Sequence, residues 1–559
     1  MAFAGSLVHH AGLPSFSPQM KQSAAIVIGG GHNGLVCAFY LARAGFKVRV
    51  LERRAVVGGA AITEEFYPGF RNSVASYTVS LLAPRIIKDM RLADYGLRML
   101  ERPISNFLPL NDHGYLKVGG GLARTQQEVA KYSTKDAARL PAYYDMLDGI
   151  GDLLRCLALE TPPNLGRIMS SAPRLARQGL SALRLDLPQR ANLLDLFTES
   201  ARHFLDPWFE SDPIKAAFGF DAVVGNFASP DTPGSAYVLL HHTFGGVNGK
   251  KGIWGHAVGG MGAITQAMAH ACSEAGVVIE LEAPVASVVV DGGRARGVLL
   301  ENGRRIGADL VVSNLNPRLL FDRLVPQEAL PAAFLDQMSR YRSGSGTLRM
   351  NVALSELPDF SCLPGQSAAE HHASGIIMAP TLDYMDRAYQ DARLDGLSKE
   401  PIVEMLIPSV VDDSLAPKGA HVASLFCQQF AYELPDGRSW DQERERAADL
   451  VIDTVTRYAP NFKDSVIARS VLSPLDLERV FGLTGGDIMH GHMSLDQLWA
   501  ARPVLGSADY RTPIAGLYLC GAGSHPGGGV SGMPGYNAAR EIRRDTHLPT
   551  RIRLALSGH

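Results

Sequence analysis

The patterned part of the chain opens on an unbroken apolar run, AAIVIGG from Ala24, passes through Gly31-His32-Asn33-Gly34, and resumes with apolar residues at Leu35, Ala38, Phe39 and Ala42. A continuous apolar run reads as a strand buried on both faces, and recurrence every three or four positions as one face of a helix. KVRVLE then supplies a second strand ending at Glu52, which makes a βαβ unit. Two later segments carry similar patterns. GGMGAITQAMAHACSEAGVVIEL reads as a helix leading into a strand, and PVASVVVDGGRARGVLLENG as an antiparallel hairpin turning at Asp291-Gly292-Gly293. Near the end, LYLC is an apolar strand, followed by a glycine-rich loop and a helix from about Pro534.

The glycines of the first unit have separate physical reasons. Gly29 lets the chain turn sharply, Gly31 leaves room for a pyrophosphate against the backbone, and Gly34 lets helix and strand approach closely. The helix N-terminus offers N–H groups and positive dipole, and Glu52 sits where a carboxylate can accept ribose hydroxyls. With strand, helix, second strand and acid in register, the pattern predicts a dinucleotide site.

Composition adds limits. The 559 residues with 46% apolar content predict two or more lobes around at least one large sheet. A net charge of -2 gives no field for nucleic acid. The six cysteines stand singly in the sequence, which fits a reducing compartment and argues against a dithiol mechanism. No apolar run approaches the roughly 18 residues that a membrane span needs. The leader, residues 1–22, lacks acids and has Lys21 as its one firm positive charge, and it reads as a disordered tail. The expected location is the cytoplasm, with membrane association, or the mitochondrial matrix in a eukaryote.

ERRAVVGGAAIT sets Arg54 two residues after Glu52 and the pair Gly58-Gly59 a few residues later. That continuation resembles the FAD motif of the glutathione-reductase-like superfamily, in its phytoene-desaturase and amine-oxidase branches. The resemblance implies FAD and a fold class: α/β, a Rossmann-like FAD-binding domain with a mixed α+β substrate lobe. It implies that Val285 meets the adenine through its backbone and that the loop GAGSHPGGGVSG serves the flavin's ribityl side. Most members carry an acid after the strand glycine Gly521. Here Ala522 stands there, as in phytoene desaturases. The expected cofactor set is Gly29, Gly31, Asn33, Gly34, Glu52, Arg53, Arg54, Gly58, Gly59, Ala60, Val285, Gly521, Ala522, Met533 and Pro534. There is no second GxGxxG for a nicotinamide dinucleotide.

The FAD domain is expected at 23–80, 255–318 and 505–546, the substrate lobe at 81–254 and 319–504, and a tail at 547–559. Histidines cluster at His241 and His242, at His256, at His490 and His492, and at His525, without zinc spacing. His490 and His492 alternate as on a strand, so only one is expected to face a cavity. These two are the candidate catalytic residues, with Asp496 as an orienting carboxylate, although flavin desaturation or isomerisation demands no strong base. Arg167, Arg174, Arg177, Arg184 and Arg190 among Leu, Ile and Met suit either a membrane surface or a helix pair packed on its own lobe. The expected function is FAD-dependent dehydrogenation or isomerisation of an apolar, isoprenoid or lipid-like molecule. The alternative is a flavin-binding regulatory protein acting through a protein partner or membrane contact.

Overall fold

The computed structural model describes residues 23–110, 114–182, 185–365 and 367–547. The leader and residues 548–559 of the expected tail lie outside the described residues. Two large sheets organise the chain.

The first is parallel in the order Val278–Glu280, Val48–Leu51, Ser23–Ile28, Arg305–Ser313 and Leu517–Leu519. The long strand Arg305–Ser313 is shared. Its second half pairs in parallel with Ser23–Ile28, and its first half pairs antiparallel with Arg294–Leu300, which continues to Val285–Asp291. The hairpin turns where expected, with Gly292 and Gly293 both at positive φ (56° and 70°), the conformation a tight hairpin asks of glycine.

Helix His32–Arg43 buries Leu35, Val36, Cys37, Ala38, Phe39 and Leu41, more than the single face its spacing predicts. It is sandwiched between the sheet and two helices, Gly262–Glu274 and Met533–His547. Each such large side chain contributes roughly 1.5–3 kcal/mol on leaving water.

The second sheet has the order Val466–Leu472, Leu348–Leu354, His421–Phe430, Leu397–Leu406, Gly375–Met378, Asn106–Pro109 and Tyr115–Val118. Strand alternation divides its residues. Leu348, Met350, Val352 and Leu354 join a core with Val451 and Val455 of helix Trp440–Tyr458, whereas Arg349 and Asn351 point to the opposite face. Helices Thr134–Ala158, Asp212–Val223 and Ala236–Thr243 build a third core around Tyr143, Phe218 and Leu240. The strands of the first sheet come from residues 23–51, 278–313 and 517–519, and those of the second from 106–118 and 348–472. A short ribbon, Met99–Glu101 with Gly255–Ala257, crosses the expected boundary between the two lobes.

Candidate functional site

A cavity of about 490 Å³ lies between the two sheets, reaching from the glycine turn to Phe426 of the second sheet. Its size is in the range of cofactor clefts. At one end the turn Gly29–Gly31 is exposed to it, with Gly29 at φ 94°. A side chain on Gly34 would drive into the Gly29 carbonyl, and one on Gly31 would come within 2.8 Å of Asn314 Nδ2. Gly59 packs against Gly31, 3.4 Å from a Cβ position to the Gly31 Cα, and Gly58 is in β-bridge contact with Gly31. This is a cradle that any Cβ would fill, and Asn33, lining it, has a buried Oδ1 with no partner. The residues present fit a dinucleotide.

Glu52 is buried and lines the same end. Its Oε2 accepts from the Gly30 N–H (2.8 Å) and its Oε1 from the Arg54 N–H (2.9 Å). It therefore holds the turn itself, while each oxygen keeps a second lone pair for a ribose hydroxyl. Arg54 pairs with Glu64 at 2.7 Å, and Arg53 donates to the carbonyl of Val480 at 2.6 Å. Arg53, Arg54, Ala60 and Val285 all line the cavity.

On the opposite wall stand Ala522, Gly529 and Val530. Gly34, Gly521, Met533 and Pro534 are not in the wall but behind it. Gly521 is pressed on the Asn314 carbonyl, 2.6 Å from a Cβ position, and the Met533 N–H donates to Ser531 Oγ at 3.2 Å. At Gly535 a side chain would collide with the Asn33 carbonyl, so glycine is required where helices His32–Arg43 and Met533–His547 touch.

Of the three catalytic candidates, only His490 lines the cavity. His490 and His492 are not on a strand. They lie in an irregular turn where His490 has φ 58° and the His492 N–H donates to the Arg342 carbonyl at 3.0 Å. Burial, with His32 and Arg502 nearby, pushes the His490 imidazole down to about 3, and burial pushes His492 down to about 4. Asp496 corrects the expectation most clearly. It is exposed and paired with Arg342 at 2.7 Å, on the surface rather than behind a cavity histidine. His256 is clamped to Asp412 at 2.8 Å, and His525 Nε2 lies 3.0 Å from the Leu157 carbonyl, so both have structural duties. The side chains of His241 and His242 lie outside the described residues.

The cysteines also differ from their sequence spacing. The fold brings the thiols of Cys37 and Cys520 close to each other. Both are fully buried in the core of the first domain and neither lines the cavity, so they have no route to a substrate there.

The far end of the cavity holds a constellation that sequence reading missed. Tyr77, in the wall, stacks on Phe426 with ring centroids 5.3 Å apart and donates its hydroxyl to Glu404 in a short hydrogen bond. The Arg349 guanidinium lies 4.4 Å from the Tyr77 ring centroid and donates to Ser424 at 2.6 Å, with Nε and Nη1 buried and unpartnered. Arg102, half-buried, donates to Thr78 beside Tyr77. Burial pushes the Glu404 carboxyl up, against the pull of Arg102, the Tyr77 hydroxyl and Arg349. Arg349, Phe426 and Glu404 are cross-strand neighbours on three adjacent strands. A signal existed: one acid in the apolar run PIVEMLI, and polar residues alternating through LRMNVAL.

Comparison with known proteins supplies the context. The profile of the family described as flavin containing amine oxidoreductase matches residues 34–347. A rat protein named pyridine nucleotide-disulfide oxidoreductase domain-containing protein 2 is 42% identical, with 93% of each chain covered. One of the chains of limonene dehydrogenase from Castellaniella defragrans is 24% identical, covering 95% of this chain and 96% of its own. Among solved structures, putrescine oxidase bound to putrescine superposes with a TM-score of 0.55 at 16% identity, covering 94% of this chain and 99% of that one, a likeness of fold.

Proposed function

Because the chain belongs to the flavin-containing amine oxidoreductase family and is an FAD-dependent oxidoreductase, we propose that it dehydrogenates or isomerises an apolar, isoprenoid or lipid-like molecule at a C–H bond. The observation that carries this reading is the continuity of the cavity: from the glycine turn it runs without a break into a chamber walled by Tyr77, Val224, Trp254, Phe426, Ile488 and Met489. Such walls favour hydrocarbon by burial of apolar area. The limonene dehydrogenase relative, whose name denotes a hydrocarbon substrate, supports the same class. Beneath the chamber the guanidiniums of Arg102 and Arg349 face Glu404 and, near it, Asp221, whose carboxyl burial pushes toward the neutral form, a field that repels a protonated amine.

Bound FAD supplies the two-electron acceptor for a hydride. The chain's own contribution is to the proton. Tyr77 donates its hydrogen to Glu404, so its oxygen keeps a lone pair that accepts the proton leaving the substrate carbon, while its own proton passes to Glu404 Oε2. The substrate thus loses a hydride and a proton, and Glu404 ends as the neutral acid.

The exposed Ile168, Met169, Leu180, Leu187 and Leu194 belong to the same reading, as a contact with the membrane surface through which an apolar substrate arrives. Arg174 and Arg177 of this segment are engaged with Glu541 and Glu160, so the contact rests on the apolar side chains.

The test is anaerobic mixing of the FAD-loaded protein with limonene, other apolar alkenes and simple amines, together with mass spectrometry of any molecule that co-purifies. Bleaching of the oxidised flavin by an alkene is expected. Bleaching by amines alone would overturn the proposal.

A further inference from the structure

Between the glycine turn and the loop after Leu519, the cavity wall is mostly backbone and methyl groups, Gly29, Gly31, Gly59, Ala60, Ala522 and Gly529, with the neutral amides of Asn33 and Asn314 beside them. Two imidazoles, the groups here that can gain a charge, stand among them. His32 is the first residue of its helix, with Nε2 3.1 Å from the Gly529 carbonyl. His490 enters from the other lobe, its Nδ1 buried with no partner.

The His490 turn is heavily braced. Arg502, fully buried, donates to the carbonyls of Met489 (2.7 Å) and Ala522 (2.9 Å), tying the turn to the loop after Gly521. Asp487 accepts from the N–H groups of Met489 (2.8 Å) and Gly491 (3.0 Å). The Tyr341 hydroxyl donates to the His490 carbonyl at 2.6 Å. Together these hold a non-glycine residue in the left-handed region, a conformation that persists only when its surroundings enforce it. None of these partners is on the imidazole itself, so the bracing aims the ring rather than satisfying it.

We infer that His32 and His490 close on the FAD pyrophosphate from opposite sides, and that His490 is a cofactor ligand rather than a catalytic base. A pyrophosphate beside a helix N-terminus still asks for donors beyond backbone N–H groups. Ala522 and Ala60 offer none. Arg502 is spent on carbonyls, and Glu52 and Asp487 face backbone N–H groups. His492, in the same turn, does not line the cavity. Arg54 is the rival donor: its Nη1 is buried and unpartnered, while its other arm is on Glu64.

The assignment makes FAD binding depend on pH. Burial holds both rings neutral in the free protein, His32 at about 4 and His490 at about 3. An anion between them favours the protonated form and raises both values in the complex. A group whose pKa is higher in the complex takes up a proton on binding, so affinity grows as pH falls through the bound value and is lost as pH rises through it.

The test is titration of the apoprotein with FAD and with riboflavin, which lacks the pyrophosphate, in mildly acidic and mildly alkaline buffer. The variants are His490→Asn, chosen because asparagine tolerates positive φ, His32→Gln and Arg54→Met. Phosphorus NMR of bound FAD gives a readout that a merely structural role leaves unmoved. Expected for each histidine variant is roughly tenfold weaker FAD binding, riboflavin binding unchanged, and loss of the pH dependence in affinity and phosphorus shift. Wild-type FAD affinity and pH dependence in both histidine variants overturn the inference. So does an equal loss for riboflavin, which puts His490 beside the isoalloxazine, or a loss confined to Arg54→Met.

Discussion

At the cofactor end of the cavity the walls are backbone and methyl groups, and the geometry is made by what glycine lacks; at the far end they are aromatic rings over a buried carboxylate between two guanidiniums. The first end is assembled largely from one continuous stretch, residues 28–61, with the loop after Leu519. The second draws Tyr77, Arg102, Arg349, Glu404 and Phe426 from separate elements of the chain. A backbone-made site tolerates almost no added atom. A side-chain-made site tolerates exchange but changes its chemistry. The two ends therefore fail differently when altered, and that difference is measurable.

The largest effect is expected from Gly34→Val. Its side chain meets the Gly29 carbonyl, which strand and helix both hold in place. Overpacking of this kind costs about 1–3 kcal/mol or more, and the purified protein should contain no FAD and melt well below wild type. A Gly34→Val protein with full flavin content would mean the turn is not the tight element described. Glu52→Ala comes next. It removes acceptors from the N–H groups of Gly30 and Arg54, and hydrogen bonds to charged groups are worth about 1.5–3 kcal/mol each. FAD should dissociate on dialysis, and wild-type occupancy would remove Glu52 from the ribose.

The far end is expected to behave in the opposite way. Tyr77→Phe keeps the ring on Phe426 and under Arg349 but loses the hydroxyl to Glu404. FAD content should stay at the wild-type level while flavin reduction by an apolar substrate slows roughly 10²–10⁴-fold, the usual worth of a positioned proton acceptor. Loss of FAD from this variant would show that the two ends cannot be separated. Glu404→Gln is less clean, because it leaves Arg102 and Arg349 without their shared anion.

The same contrast explains what was legible in the sequence. The βαβ unit, the hairpin at Gly292-Gly293 and the terminal strand–loop–helix could be read because each is local: its pattern, turn residues and acid lie within a few tens of positions. The helix His32–Arg43 proved buried on more than one face because a helix from the far end of the chain, Met533–His547, packs on it, and no local period reports that. His490 and His492 read as a strand because two-residue alternation is also what an irregular turn can show by chance. Cys37 and Cys520 looked solitary for the same reason that Tyr77 and Glu404 looked unrelated: their contacts span hundreds of positions. A nicotinamide site, being local, should have been visible, and no second fingerprint exists. NADPH is accordingly expected to leave the oxidised flavin band unchanged in anaerobic mixing, and rapid bleaching would revive a pyridine-nucleotide reductase.

The smallest effect is expected at Asp496. As an orienting carboxylate for a catalytic histidine it would matter greatly to rate and little to stability. In the structure its side chain is 65% exposed and that of its partner Arg342 is 55% exposed. An ion pair in that setting is worth about 0–1 kcal/mol, and less in salt. Asp496→Asn keeps the shape and removes the charge, so melting temperature, FAD affinity and the rate of flavin reduction should all stay close to wild type, with any change in melting shrinking as salt is added. A selective drop in reduction rate at unchanged FAD affinity would show that the turn carrying His490 and His492 moves Asp496 toward the cavity when substrate binds, and would return part of the chemistry from the Tyr77–Glu404 pair to this turn.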